Sequence, residues 1–137
     1  MKEIDELIEK YIESVILHGK ESWGGDYKIA NKHYKLYTKC FVEICKYGVE
    51  GIDALKELLN HESHFVRCCA AYHILPFDSY NGIKMLKKCK REPEGVGLSA
   101  QTLLSEWNSG KLRFPVVKES AIIYVTVEEL VCNLNIK

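Results

Sequence analysis

No apolar run in this 137-residue chain approaches the roughly 20 residues that a membrane-spanning helix needs. The Met1-Lys2-Glu3-Ile4 start also lacks the apolar core of a secretory leader. A cytoplasmic protein with no membrane association is therefore expected. Net charge is absent as well, since 19 basic and 19 acidic side chains cancel, which weighs against a nucleic-acid binder. None of the six cysteines forms a Cys-x-x-Cys pair. Without a leader a reducing compartment is the expectation, so Cys40, Cys45, Cys68, Cys69, Cys89 and Cys132 read as small apolar filler of a helical core. No glycine-rich turn is placed to build an oxyanion site. The length suits one domain.

What is present is a repeat. Gly51-Ile52-Asp53-Ala54-Leu55 is echoed by Gly82-Ile83-Lys84-Met85-Leu86, and an apolar second helix follows each after a break. A period of about 30 residues with one helical hairpin per unit is the signature of an α-solenoid. Upstream, Ile4, Leu7, Ile8, Tyr11, Ile12, Val15 and Ile16 recur at helical spacing, and Gly19 is expected to end that helix. A polar loop carrying Trp23 then leads to Asp26, an N-cap candidate for a second helix reaching about Lys46. Helices are further expected from about Glu50 to Leu59, from Phe65 to Leu75 before Pro76, from Tyr80 to Lys90 behind a Ser79 cap, and from Leu98 to Trp107.

The pattern breaks after Gly110. Phe114 to Val117 reads as extended and Ile122 to Val127 is β-branched and aromatic, while Thr126 and Glu129 form a capping box for a last helix from Val127 to Leu134. The expected architecture is all-α: an α-solenoid of three helical hairpins over residues 1–112. A tail at 113–137, with a short extended segment and a capping helix, covers its open end.

Gly25-Asp26-Tyr27-Lys28-Ile29-Ala30-Asn31-Lys32-His33-Tyr34 resembles the second-helix opening of a small bacterial HEAT-like domain family of unknown function. Ala54 to His61, Val66-Arg67-Cys68-Cys69-Ala70-Ala71 and Ala100 to Gly110 extend the resemblance over residues 4 to 112, and the tail departs from it. Members of that family resemble immunity proteins of polymorphic toxin systems, which bind and block one cognate toxin. The resemblance thus implies a cognate protein toxin as partner, in a 1:1 complex with a monomer. It also implies a structural role for Arg67, paired with a neighbouring acid or carbonyl, Asp53 or Glu62.

Chemistry is sparse. His61, His64 and Cys68 fall on successive turns but lack a fourth metal ligand, and Cys69 with His73 one turn later lacks an orienting group and a cleft. No cofactor, metal or catalytic residue is assigned. Binding surfaces are better represented. Residues 1 to 26 carry three lysines against seven acids, and residues 81 to 118 carry eight basic side chains against three acids. Against a basic toxin such as a nuclease, Glu6, Glu9, Glu13, Glu21 and Asp26 with exposed Trp23 are the expected contact set. Against an acidic partner, Lys84, Lys87, Lys88, Lys90 and Arg91 take over. The alternatives are nucleic-acid binding by that basic face, disfavoured by the lack of an aromatic platform beside it, and a general scaffold or adaptor.

Overall fold

Apolar residues three and four apart wind the start of the chain into one long helix that buries Ile4, Tyr11 and Val15. The computed structural model describes residues 2–134; Met1 and residues 135–137, the end of the expected tail, lie outside the described residues. Among the described residues the order is α1 (Glu3–Gly24), α2 (Tyr27–Cys45), α3 (Val49–Glu57) with a 3₁₀ turn (Leu58–Asn60), α4 (His64–Ile74), α5 (Ser79–Cys89), α6 (Val96–Asn108), β1 (Phe114–Lys118), β2 (Ala121–Val125) and α7 (Val127–Leu134). The protein is mostly helical with one small antiparallel sheet, and no described helix is long and apolar enough to cross a membrane.

Helix ends follow their local chemistry, with two departures from expectation. Asp26 caps α2, its carboxylate accepting from the amides of Lys28 and Ile29 at 2.7 and 3.4 Å. At α7 the capping box closes, the Glu129 amide donating to the Thr126 hydroxyl at 3.1 Å and the Thr126 amide donating to the Glu129 carboxylate at 3.2 Å. The cap of α5, however, is Asp78 rather than Ser79, because the Asp78 carboxylate accepts the Asn81 amide at 3.1 Å. Nor does Gly19 end α1. A Cβ there would run into the Phe65 ring, so this glycine is where α4 leans on α1. The helix continues to Gly24, and Trp23 stands on its last turn instead of in a loop.

The repeated glycines have one job. Gly51, Gly82 and Gly97 each lie within the first four residues of a helix, against a carbonyl at the end of an earlier one. Gly51 meets the Ile44 carbonyl; a Cβ on Gly82 would lie 2.9 Å from the Ala71 oxygen, and one on Gly97 2.6 Å from the Lys90 oxygen. Consecutive helices thereby approach more closely than any side chain allows.

At the centre is α4, which touches α1, α3, α5 and α6. It buries residues nearly all round: Phe65, Val66, Cys68, Ala70, Ala71, His73 and Ile74. The tail folds back over this centre. Phe114 is fully buried with its ring stacked on Tyr72 at 5.0 Å, and the Tyr72 hydroxyl donates to the Arg113 carbonyl at 2.6 Å. β1 thus reaches back to α2, past the last helical pair. It pairs with β2 from Phe114 opposite Val125 to Lys118 opposite Ala121. Glu119 and Ser120 between them have φ of 51° and 67°, as a two-residue type I′ hairpin requires.

Gly82→Ala and Gly97→Ala should each cost about 1–3 kcal/mol of stability. Gly24→Ala, with nothing within 4 Å of the added methyl, should be neutral or gain up to about 1 kcal/mol. Urea denaturation reads all three, and equal stabilities would remove the close-approach role.

Candidate functional site

Residues of α1, α4 and α6 line an open groove of about 660 Å³, with Gly19 among them. Tyr37, Phe65, Cys69 and Tyr72 supply its floor, His18 and Ser22 of α1 one wall, and Ser99, Thr102 and Leu103 of α6 the other. Size and lining are those of a ligand-binding cleft, mainly apolar with a few polar groups. Trp23, 63% exposed, stands on the rim beside Gly95, and Leu98, 71% exposed, stands near it.

Beneath the floor lies a polar cluster that holds three helices together. The Tyr11 hydroxyl of α1 is hydrogen-bonded to His73 Nδ1 at 2.6 Å, and the His73 ring stacks on Phe41 of α2 at 4.1 Å and 12°. Burial pushes the His73 pKa down to about 3. Cys69 Sγ sits 3.7 Å from His73 Nδ1, and burial pushes its thiol up to about 12, an effect that the neighbouring Tyr11 and Tyr37 only partly offset. Burial also raises both tyrosines well above their ordinary range. A nucleophilic pair needs thiolate beside imidazolium, and here both shifts run the opposite way. The cluster is neutral at pH 7, the form that burial favours.

The metal candidates separate. His61 Nδ1 accepts the Ser63 amide at 3.0 Å, while His64 Nε2 lies 3.2 Å from the Glu94 carboxylate. Among the described residues no three potential ligands converge. Arg67 donates to the carbonyls of His61 and Glu62 at 2.8 and 2.9 Å and meets Glu92 at 3.5 Å. The carbonyl partner matches expectation at Glu62, but the acid is Glu92 and not Asp53.

The expected acidic contact set does not form one surface. Glu6, Glu9 and Glu13 are exposed along one stripe of α1. Val15, His18 and Ser22, which line the groove, lie roughly 160° away around the helix. Glu21 accepts the Asp26 amide at 2.8 Å, so Glu21 and Asp26 are both engaged in the α1–α2 turn. Of that set only Trp23 reaches the groove. On α5 Lys84, Lys87 and Lys88 are exposed, as are Lys90 and Arg91 in the turn just past its end. Lys84 and Lys88 join Lys56, Asn60 and Asn81 around a cleft of about 270 Å³, although Lys56 is held by Asp78 at 2.9 Å. Tyr80, 72% exposed, places its ring 6.0 Å from Lys84, the aromatic neighbour that sequence reading did not place there. The groove was missed as well. Its residues run from Val15 to Glu106 without shared periodicity, and the one local signal was an exposed tryptophan.

A small helical protein with an aromatic groove and a neutral buried cluster is the class that this geometry defines. No family model matches the chain, and no curated protein or solved structure matches it either.

His73 makes stability pH-dependent with a definite sign. Its folded pKa lies below the unfolded 6.5, so between pH 6.5 and about 3 the unfolded chain binds the extra proton and stability falls as pH falls. This group contributes about 1.4 kcal/mol per pH unit. His73→Gln should be less stable than the parent at pH 7 by about 1–3 kcal/mol, with the gap closing near pH 4. Parallel urea titrations across that range would show it, and a constant gap would contradict a buried neutral imidazole. The thiols provide a second check. At pH 8 a disulfide reagent should react fast only with Cys132, exposed where the other five are buried or half-buried. Rapid reaction of Cys69 would mean that its thiol is not held protonated.

Proposed function

We propose that this protein is a non-catalytic binding module of HEAT-like architecture. In this reading α1/α2, α3/α4 and α5/α6 are three hairpins of a short right-handed solenoid, and the tail from β1 to α7 is its cap. Its task is to bind and neutralise a cognate bacterial toxin, as an immunity protein of the family that the sequence resembles. Support for the repeat comes from Gly51 and Gly82, each in the first turn of its helix and each packed closely against the helix before it.

The observation that carries a binding role is the groove with Trp23 on its rim. Trp and Tyr bury large areas at small entropic cost and dominate interface energetics. An exposed tryptophan beside an open apolar groove is costly in water unless something covers it. The neutral Cys69 and His73 beneath support the same reading, because they are not poised as a thiolate–imidazolium pair. The stripe of Glu6, Glu9 and Glu13 on the far side of α1 adds a negative field that would speed the approach of a basic toxin such as a nuclease.

The test is co-expression with the toxin encoded beside this gene. Cells should survive, and the two chains should elute as a 1:1 complex on size exclusion. Continued killing, or separate elution at micromolar concentrations, would sink the reading. Lys84 and Lys88, beside Tyr80 and the cleft they form with Lys56, favour a second reading as a nucleic-acid binder. That reading requires affinity for RNA or DNA that falls steeply with salt.

A further inference from the structure

We infer that the groove between α1, α4 and α6 receives a lysine or arginine side chain projecting from a partner protein, its stem on the aromatic floor and its charged head among the groove's carboxylates. The inference rests on reading the chain as a protein-binding module, and it identifies the surface and the chemistry that such a partner must bring.

Charge complementarity carries it. Glu94 and Glu106 line the groove, and no lysine or arginine does. Among the described residues no cationic side chain lies within ionic distance of Glu106, and Glu94 has only the His64 imidazole, at 3.2 Å. Each carboxylate has an aromatic neighbour. Glu94 precedes Gly95, whose Cα is overhung by the Trp23 ring, a Cβ there lying 3.3 Å from it. Glu106 is close enough to Tyr72 for its charge to help hold that hydroxyl protonated, behind the larger effect of burial. A cation between a carboxylate and a ring face gains from both. Long basic side chains also bury an aliphatic stem while the head stays polar, which matches an apolar floor below an acidic rim.

The rim argues for a protein source. Trp23 and Leu98 are exposed above the groove. A free amine seated on the floor would leave both in water, whereas the backbone and flanking residues of a protein partner cover them.

The experiment titrates the ¹⁵N-labelled full chain with the capped tripeptide acetyl-Phe-Arg-Phe-amide, and with the same peptide carrying citrulline, neutral and nearly isosteric, in place of arginine. Amide shifts should concentrate at Gly19, Gly95, Ser99 and Thr102, with affinity about three- to fivefold weaker for citrulline. Glu106→Gln, at an exposed position where folding should be unchanged by circular dichroism, should weaken the arginine peptide by a similar factor and leave the citrulline peptide unaffected. Equal affinity for the two peptides, shifts away from the groove, or tighter binding of free phenethylamine than of the peptide would each overturn the proposal. The toxin reading fails separately. A toxin complex whose affinity is untouched by Glu94→Gln with Glu106→Gln removes the groove and keeps the neutraliser. Arginine-selective peptide binding without any toxin complex keeps the groove and removes the neutraliser.

Discussion

Everything else in this fold depends on how α4 is held, and α4 is held by a polar contact in an apolar place. His73 is 1% exposed, bonded to Tyr11 of α1 and stacked on Phe41 of α2. An unpartnered imidazole there would cost roughly 1–3 kcal/mol, so the bond fixes which face of α4 turns toward α1 and α2. With that rotation set, Ala70 and Ala71 fall on buried faces, Ala71 beside Gly82 of α5, and Cys69 and Tyr72 come up under the groove. Apolar packing alone is non-directional. The hydrogen bond adds the direction.

Much of the helical frame was legible in the sequence because its signals are local. The three-and-four spacing of Ile4 to Ile16, the Asp26 cap and the Thr126 with Glu129 box each lie within a few residues, and each closes as local chemistry dictates. What escaped was decided by distant partners. Gly19 carries the same letter as a helix stop, and only Phe65, 46 positions on in the chain, turns it into a helix contact. Asp78 and Ser79 are both competent caps and adjacent, so nothing in sequence ranks them. The hairpin was visible as two extended segments but not as a pair. Its turn residues Glu119 and Ser120 are poor formers of left-handed backbone, where Asn-Gly would have announced it.

The acidic contact set shows the same limit from the other side. Charge counted along residues 1 to 26 treats them as one surface, but a helix distributes neighbours around its axis. Glu6, Glu9 and Glu13 face away from the groove, while Glu21 and Asp26 close a turn. Trp23 reaches the groove because Gly19 lets α1 continue past the point where a stop was expected. A single close contact, Gly19 on Phe65, thus places both the groove and its most exposed aromatic.

The core and the groove share the same side chains. Tyr37, Cys69 and Tyr72 pack the interior with one side and form the groove floor with the other, and their hydroxyls and thiol are held neutral by burial. A floor without charge would not orient a partner by itself, so in the proposed binding role orientation would fall to the rim, where Glu94 and Glu106 are exposed. Rim carboxylates contribute modestly as single pairs. Set beside a mainly apolar floor, they would favour a cationic side chain over an acidic one under the proposed binding role, since an acidic group entering the groove would lose water and meet two like charges. The division of an apolar floor for affinity and a charged rim for choice is how a small helical surface can select one partner.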